Sequence, residues 1–240
     1  MRLVVTRDAD EMHELAAELI ASEIRSKPDA VVVPAMGNTP MRAYRRLAEM
    51  RQEGELDTSQ IRVCQLDEYL GVSDDDPRSL YGWLRRSFLD PLGIPPSRVN
   101  RFHGDACDIE RECQEYDRTV EAWGGYDLVI LGLGPNGHLG FNEPPSDSAA
   151  PTRAVELTEA SLESNATYWG DIERVPRRAL TAGMTQLLAA RKILLLASGR
   201  HKREILHKTL RGQITPEVPA SYLQGLTQVT VLADREAWGR

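Results

Sequence analysis

The sequence predicts an α/β fold of three layers, a mainly parallel sheet with helices on both faces. Three observations predict it. Short apolar runs alternate with amphipathic segments along the chain, the pattern of strands joined by crossover helices. No internal repeat, low-complexity tract or linker interrupts the 240 residues, so one domain over 1–240 is expected. The Gly, Pro and His residues cluster just after the apolar runs, where such sheets bind ligands.

The elements follow in order. Residues 2–6 (RLVVT) form a short strand. Residues 8–26 form a helix, with Met12, Leu15, Ala16, Leu19, Ile20 and Ile24 on one face. Residues 30–34 (AVVVP) are a β-branched run and hence a buried strand. A Met-Gly-Asn-Thr-Pro turn leads into a helix over 41–54. A strand at 61–66 and helices at 77–89 and 108–123 come next. Residues 126–131 (YDLVIL) make the most apolar strand, which belongs near the sheet centre. A helix over 179–190, a strand at 192–197 (KILLLA), a helix over 201–211 and a strand at 228–233 complete the pattern.

Composition removes several functions. The net charge of −7 opposes a general nucleic-acid binder, which needs a basic stripe. No apolar run approaches the roughly 20 residues that cross a membrane. The first residues lack a signal-peptide core, and three cysteines suit a reducing compartment, so a cytoplasmic protein is expected. The spacing of Cys64, Cys107 and Cys113 fits no zinc pattern, and no metal site is expected.

Four strand ends carry the chemistry. In the first, Gly37 allows close backbone approach, Thr39 suits an N-cap and Pro40 suits a first helical turn. This is either an anion site at a helix N-terminus or a plain turn. In the second, Asp67 and Glu68 adjoin at the end of an apolar strand, and alternation lets only one face a given pocket. The bland alternative is a pair of solvated turn residues. The third is the loop from Gly132 to Pro145. Gly132, Gly134 and Gly137 satisfy the dinucleotide fingerprint, but that motif must open a helix. Gly140, Pro144, Pro145 and Pro151 follow instead, at about 3 kcal/mol per interior proline, so a nicotinamide site is rejected. What remains is a glycine loop carrying Asn136, His138 and Glu143. In the fourth, Arg200 and Lys202 stand at a helix start, where the dipole disfavours cations unless an anion binds. Compensation by Glu204 is the alternative.

Taken together, the segments GNTP (37–40), QLDEYLG (65–71) and LGLGPNGHLGFNEP (131–144), with Lys202, resemble the glucosamine-6-phosphate deaminase family. The wider superfamily includes 6-phosphogluconolactonases. The NEP ending is similar to the amino-sugar branch, and the Asn-Gly-His-Leu-Gly run resembles a galactosamine-6-phosphate subgroup. The resemblance implies a Rossmann-like sheet of deaminase/isomerase type. It also implies conversion of glucosamine or galactosamine 6-phosphate and water to a ketose 6-phosphate and ammonia, with no cofactor. It places the C2–C1 base on Asp67, the ring-opening group on His138 and its carboxylate partner on Glu143. The phosphate site falls on Gly37, Asn38, Thr39 and Lys202, and a lid on roughly 157–177. The phosphorylated amino sugar is the expected partner, with nucleic acid and membrane excluded, and either a monomer or a homo-oligomer is compatible.

Three positions depart from the family pattern. Asn136 stands where many deaminases have Asp; its amide oxygen is expected to accept from imidazole, leaving His138 to rely on Glu143. Thr167 stands at the lid arginine, which shifts phosphate binding toward Lys202. Arg153 remains from a basic effector pocket but Val155 replaces its lysine, so no amino-sugar-phosphate allostery is expected. Two rivals stay open: a 6-phosphogluconolactonase-type hydrolase, and a non-catalytic sugar-phosphate-binding protein.

Overall fold

Ten strands organise the computed structural model, which describes residues 1–239. They are β1 (Arg2–Thr6), β2 (Val31–Pro34), β3 (Arg62–Cys64), β4 (Asp67–Tyr69), β5 (Val99–Asn100), β6 (Leu128–Gly132), β7 (Arg153–Glu156), β8 (Arg178–Thr181), β9 (Lys192–Ala197) and β10 (Val229–Asp234). The helices are α1 (Ala9–Ser26), α2 (Met41–Gln52), α3 (Leu80–Leu84), α4 (Ile109–Ala122), α5 (Glu159–Trp169), α6 (Met184–Leu188), α7 (Arg203–Arg211) and α8 (Arg235–Trp238).

Seven strands form one sheet in the order β1-β10-β9-β6-β2-β3-β5. Every pairing in it is parallel. β6 is the middle strand, as its YDLVIL run predicts. From β2 the chain steps outward to β3 and β5, and from β6 it steps the other way to β9 and β10. The crevice between β2 and β6 is therefore the topological switch point, where connections diverge and leave room for a ligand.

Burial explains the layering. β2 is buried along its whole length, and its side chains divide between two cores: Val31 and Val33 on one face, Val32 on the other. α1 lays Met12, Ala16, Ile20 and Ile24 on the second of these cores. Asp8 caps α1 by accepting the Glu11 N–H at 2.9 Å. β4, β8 and β7 make a small antiparallel sheet beside the main one. A third apolar cluster, built from Tyr69, Leu80, Phe141, Leu162 and Trp169, joins this sheet to α3 and α5.

The structure corrects several sequence expectations. Residues 179–190 are not one helix: β8 ends at Thr181, and α6 begins after Gly183. A Cβ at Gly183 would lie 2.4 Å from the Pro151 carbonyl carbon, so two backbones cross where the helix was expected. The 77–89 helix starts only at Leu80, where Ser79 accepts the Gly82 N–H, and passes into a π-helix over Arg85–Leu89. α7 begins at Arg203, after a 3-10 turn over Arg200–Lys202. Thr39 does not cap α2; that position is held by Pro40. Among the described residues the Thr39 hydroxyl has no protein partner and stays available.

Candidate active site

A cavity of about 390 Å³ opens at the carboxyl ends of β2, β6 and β9. Gly37, Asn38 and Thr39 line it from the loop after β2, Asp67 from β4, His138 from the loop after β6, and Lys202 from the turn after β9. Glu143 and Asn136 stand behind His138, outside the lining.

The loop at 37–39 is shaped by Gly37, whose φ of +117° is open to glycine and strained for other residues. His13 on α1 braces the same loop with Nε2 2.8 Å from the Thr39 carbonyl. Since that oxygen only accepts, Nε2 carries the proton. Lys202 lines the same cavity, and no carboxylate pairs with it among the described residues. Burial pushes its ammonium below the ordinary lysine range. Glu204, a sequence candidate for its compensation, pairs with Lys208 instead. Asp234 pins the turn before Lys202 by accepting from Ser198 Oγ at 2.5 Å and from the Gly199 N–H at 3.0 Å.

His138 is oriented from behind. Its Nδ1 lies 3.4 Å from Glu143 Oε2 and 3.2 Å from Ser161 Oγ. The carboxylate fixes the proton on Nδ1 and leaves Nε2 with no protein hydrogen bond among the described residues. That edge rests on Gly134, where a Cβ would come within 2.3 Å of Nε2. Glu143 Oε2 also accepts from Asn136 Nδ2 at 2.8 Å and Thr158 Oγ1 at 3.0 Å. Burial raises the Glu143 carboxyl, but His138 chiefly, with Ser161 and Asn136, outweighs it and draws it down to about 2.

Here the structure amends the reading of Asn136. Its amide oxygen accepts from the His138 backbone N–H at 3.2 Å, not from the imidazole. Its amide nitrogen is turned to Glu143. The glycine loop opens no helix among the described residues, which agrees with rejection of the dinucleotide motif.

Asp67 is buried yet faces the cavity, and burial with the neighbouring Glu68 charge pushes its carboxyl up to about 8. Glu68, its neighbour in β4, is buried on the other side, so neither is a solvated turn residue. Sequence reasoning missed Thr158 and Ser161, which reach the His138–Glu143 pair from the start of α5. The only local signal was Thr158 as an N-cap, accepting the Ser161 N–H. It also missed the aromatic wall of Trp83 and Tyr168, whose rings meet edge-on at 4.9 Å. No group of three or more His, Cys, Asp or Glu side chains is placed to hold a metal ion among the described residues. No helix among them is long and apolar enough to cross a membrane.

An ammonium without a carboxylate partner among the described residues and a buried carboxylate lining one cavity at the switch point of a parallel sheet define a doubly wound α/β protein whose cavity suits a small anionic molecule. Comparison with known proteins narrows that class. A family model described as glucosamine-6-phosphate isomerases/6-phosphogluconolactonase matches residues 6–232, and the chain belongs to that family. A glucosamine-6-phosphate deaminase of Halothermothrix orenii is 41% identical over 237 residues, which cover 99% of this chain and 98% of that protein. Glucosamine-6-phosphate deaminase 1 of Bacillus subtilis is 40% identical with the same coverage. A solved structure, described as a monomeric glucosamine-6-phosphate deaminase, is 40% identical with a TM-score of 0.97, covering 100% of this chain and 99% of its own. The 6-phosphogluconolactonase of Trypanosoma brucei shares the fold, with a TM-score of 0.79 at 20% identity over 98% of this chain and 97% of its own.

Proposed function

We propose that this chain is a glucosamine-6-phosphate deaminase, converting the amino-sugar phosphate and water to a ketose 6-phosphate and ammonia. The observation that carries this is Asp67. It is a buried carboxylate, pushed up to about 8 by burial and the Glu68 charge, on the same cavity as His138 and Lys202. A lactone hydrolase needs no base at a sugar carbon.

In this reading the phosphate binds between Lys202 and the 37–39 loop, which fixes the reacting carbons by a remote grip. His138 moves the proton of the C1 hydroxyl to the ring oxygen, and the ring opens. Asp67 then takes the C2 proton while O1 gains a proton from the C2 ammonium, which gives an enolamine; Asp67 returns its proton to C1, leaving a protonated imine at C2. Water adds to that imine, and ammonia leaves as the ketone forms. Each positioned acid or base contributes roughly 10²–10⁴-fold. Glu143 holds the imidazole and balances its positive charge.

Residues 157–177 are the lid. Ser164, Asn165, Thr167 and Tyr168 of α5 already border the cavity, so a small movement of α5 would cover the sugar. The relatives' names support glucosamine over galactosamine as substrate, and the solved neighbour supports a monomer. Cys64, Cys107 and Cys113 are all free thiols, which supports a cytoplasmic setting. The test is ammonia release from glucosamine 6-phosphate and galactosamine 6-phosphate in parallel, with 6-phosphogluconolactone as control. Ammonia from the glucosamine compound is expected; lactone hydrolysis without ammonia would overturn the assignment.

A further inference from the structure

Adjacent carboxylates in β4 meet opposite surroundings. Glu68 is 1% exposed and accepts four N–H groups. They are Gln65 Nε2 at 3.0 Å and the backbone N–H groups of Tyr69 at 2.8 Å, Leu80 at 2.9 Å and Tyr81 at 2.8 Å. All four can only donate, so they select an acceptor-only, ionised carboxylate. A protonated Glu68 would set its own O–H against one of them. No Lys, Arg or His pairs with Glu68 among the described residues. Asp67, one residue earlier, receives no hydrogen bond on its carboxylate from any described residue, and it faces the cavity.

We infer that Glu68 is a positioning residue of this site, a fixed buried charge that keeps the neighbouring Asp67 carboxylate a strong base toward the substrate carbon. The inference rests on the proton transfer proposed for Asp67 above. Two environments that drive adjacent carboxyls apart are a recurring way to assign one as the base. Burial leaves the Glu68 carboxyl raised on balance although its four donors oppose that, whereas burial and the Glu68 charge act together, with no opposing donor, on Asp67.

The other charges around the pair are accounted for. His138, His201 and Lys202 share the cavity with Asp67, and Tyr168 borders it from α5. Tyr69 and Tyr81 adjoin Glu68, and Arg101 lies over the Tyr81 ring while paired to Asp74. A Cβ at Gly104 would lie 3.2 Å from Glu68 Cγ, and the neighbouring His103 and Asp105 are exposed. None of these cations is bonded to either carboxylate.

Glu68 also ties β4 to the first turn of α3, which brings Leu80 and Trp83 to the cavity wall. The experiment must separate that mechanical role from the charge. Glu68→Gln removes the charge while its amide oxygen can still accept from Tyr69 and Leu80. The acid limb of kcat/KM for ammonia release is expected to move to lower pH, and the plateau to fall about tenfold as the base weakens. A loss equal at every pH would mean a clasp without an electrostatic part and would overturn the inference.

If Glu68→Gln does not fold, the unmodified protein decides. Carboxyl-carbon NMR with selectively labelled Asp and Glu, assigned through Asp67→Asn, follows both groups without substrate. As pH falls, Asp67 should take up its proton first, near 8. Protonation of Glu68 first, or an ordinary carboxylate midpoint for Asp67, would refute the inference. Failure of the unmodified enzyme to release ammonia would count against the proposed activity alone, because the titration needs no turnover.

Discussion

Asn136 donates its side-chain amide to Glu143 Oε2 at 2.8 Å, the same oxygen that faces the His138 imidazole. It thus acts on His138 through the carboxylate and does not touch the ring nitrogens. Asn136→Leu keeps the volume and removes that donor. It should lower kcat about tenfold, the worth of one hydrogen bond to a charged group, and leave KM nearly unchanged. Steady-state kinetics with glucosamine 6-phosphate check this; an unchanged kcat would show that Thr158 and Ser161 suffice.

Glu143 links the site to acid stability. Its carboxyl is drawn from 4.5 to about 2 in the folded chain. A depressed carboxylate stabilises the fold above its unfolded midpoint, and that contribution disappears as pH falls toward the folded value. Urea unfolding should show wild-type stability dropping between those two values, by on the order of 1–3 kcal/mol from this group. Glu143→Gln should flatten that slope. An identical slope in both proteins would remove Glu143 from the account.

Among the described residues Lys202 has no carboxylate partner, and it is half-buried, which costs stability until an anion arrives. Lys202→Met should raise KM for the sugar phosphate roughly 10–100-fold. Its Tm should not fall, because the substitution removes an unpaired cation. A large drop in Tm with an unchanged KM would identify Lys202 as structural.

Gly134 gives the imidazole its place. A methyl group there would stand 2.2 Å from His138 Cδ2 and force the ring away. Gly134→Ala should cost roughly 10²-fold in kcat, the scale of a 1 Å misplacement. Recovery of the folded circular dichroism spectrum beside that loss would separate misplacement from misfolding.

Arg153 is already engaged. Its guanidinium donates to Asn142 Oδ1 at 2.8 Å, the Pro151 carbonyl at 3.1 Å and Ser146 Oγ at 2.8 Å. Ser146 in turn donates to the Glu143 carbonyl at 2.6 Å. An effector would have to break this strap. Rate curves should be hyperbolic and indifferent to N-acetylglucosamine 6-phosphate. Sigmoidal curves relieved by that compound would contradict the assignment.

The main sheet was legible because β2, β6 and β9 are apolar runs whose burial needs no partner information. β4 was not legible as a strand. Its sequence, Asp-Glu-Tyr, carries two charges, and it is held by β8 and by the donors around Glu68 from residues 80 and 81. The 179–190 segment misled for the reverse reason: its apolar content suits a helix, but distant pairing with β4 and β7 decides the first half. Residues 37–39, 67, 138 and 202, which line the cavity, stand out in the sequence because they fall at strand ends. Ser161 was invisible because it meets His138 from 23 positions away. The Asn136 geometry could not be read either, since an amide offers two ends and only packing chooses between them.

The proposed phosphate anchor and the proposed base stand on separate sheets: Gly37–Thr39 and Lys202 on loops of the large parallel one, Asp67 on the small antiparallel one. A scaffold divided in this way can exchange its reaction by rewriting a few residues of the minor sheet while keeping its handle for phosphate. Diversification among sugar-phosphate enzymes of this shape then needs no new architecture, only a different tenant at one short strand.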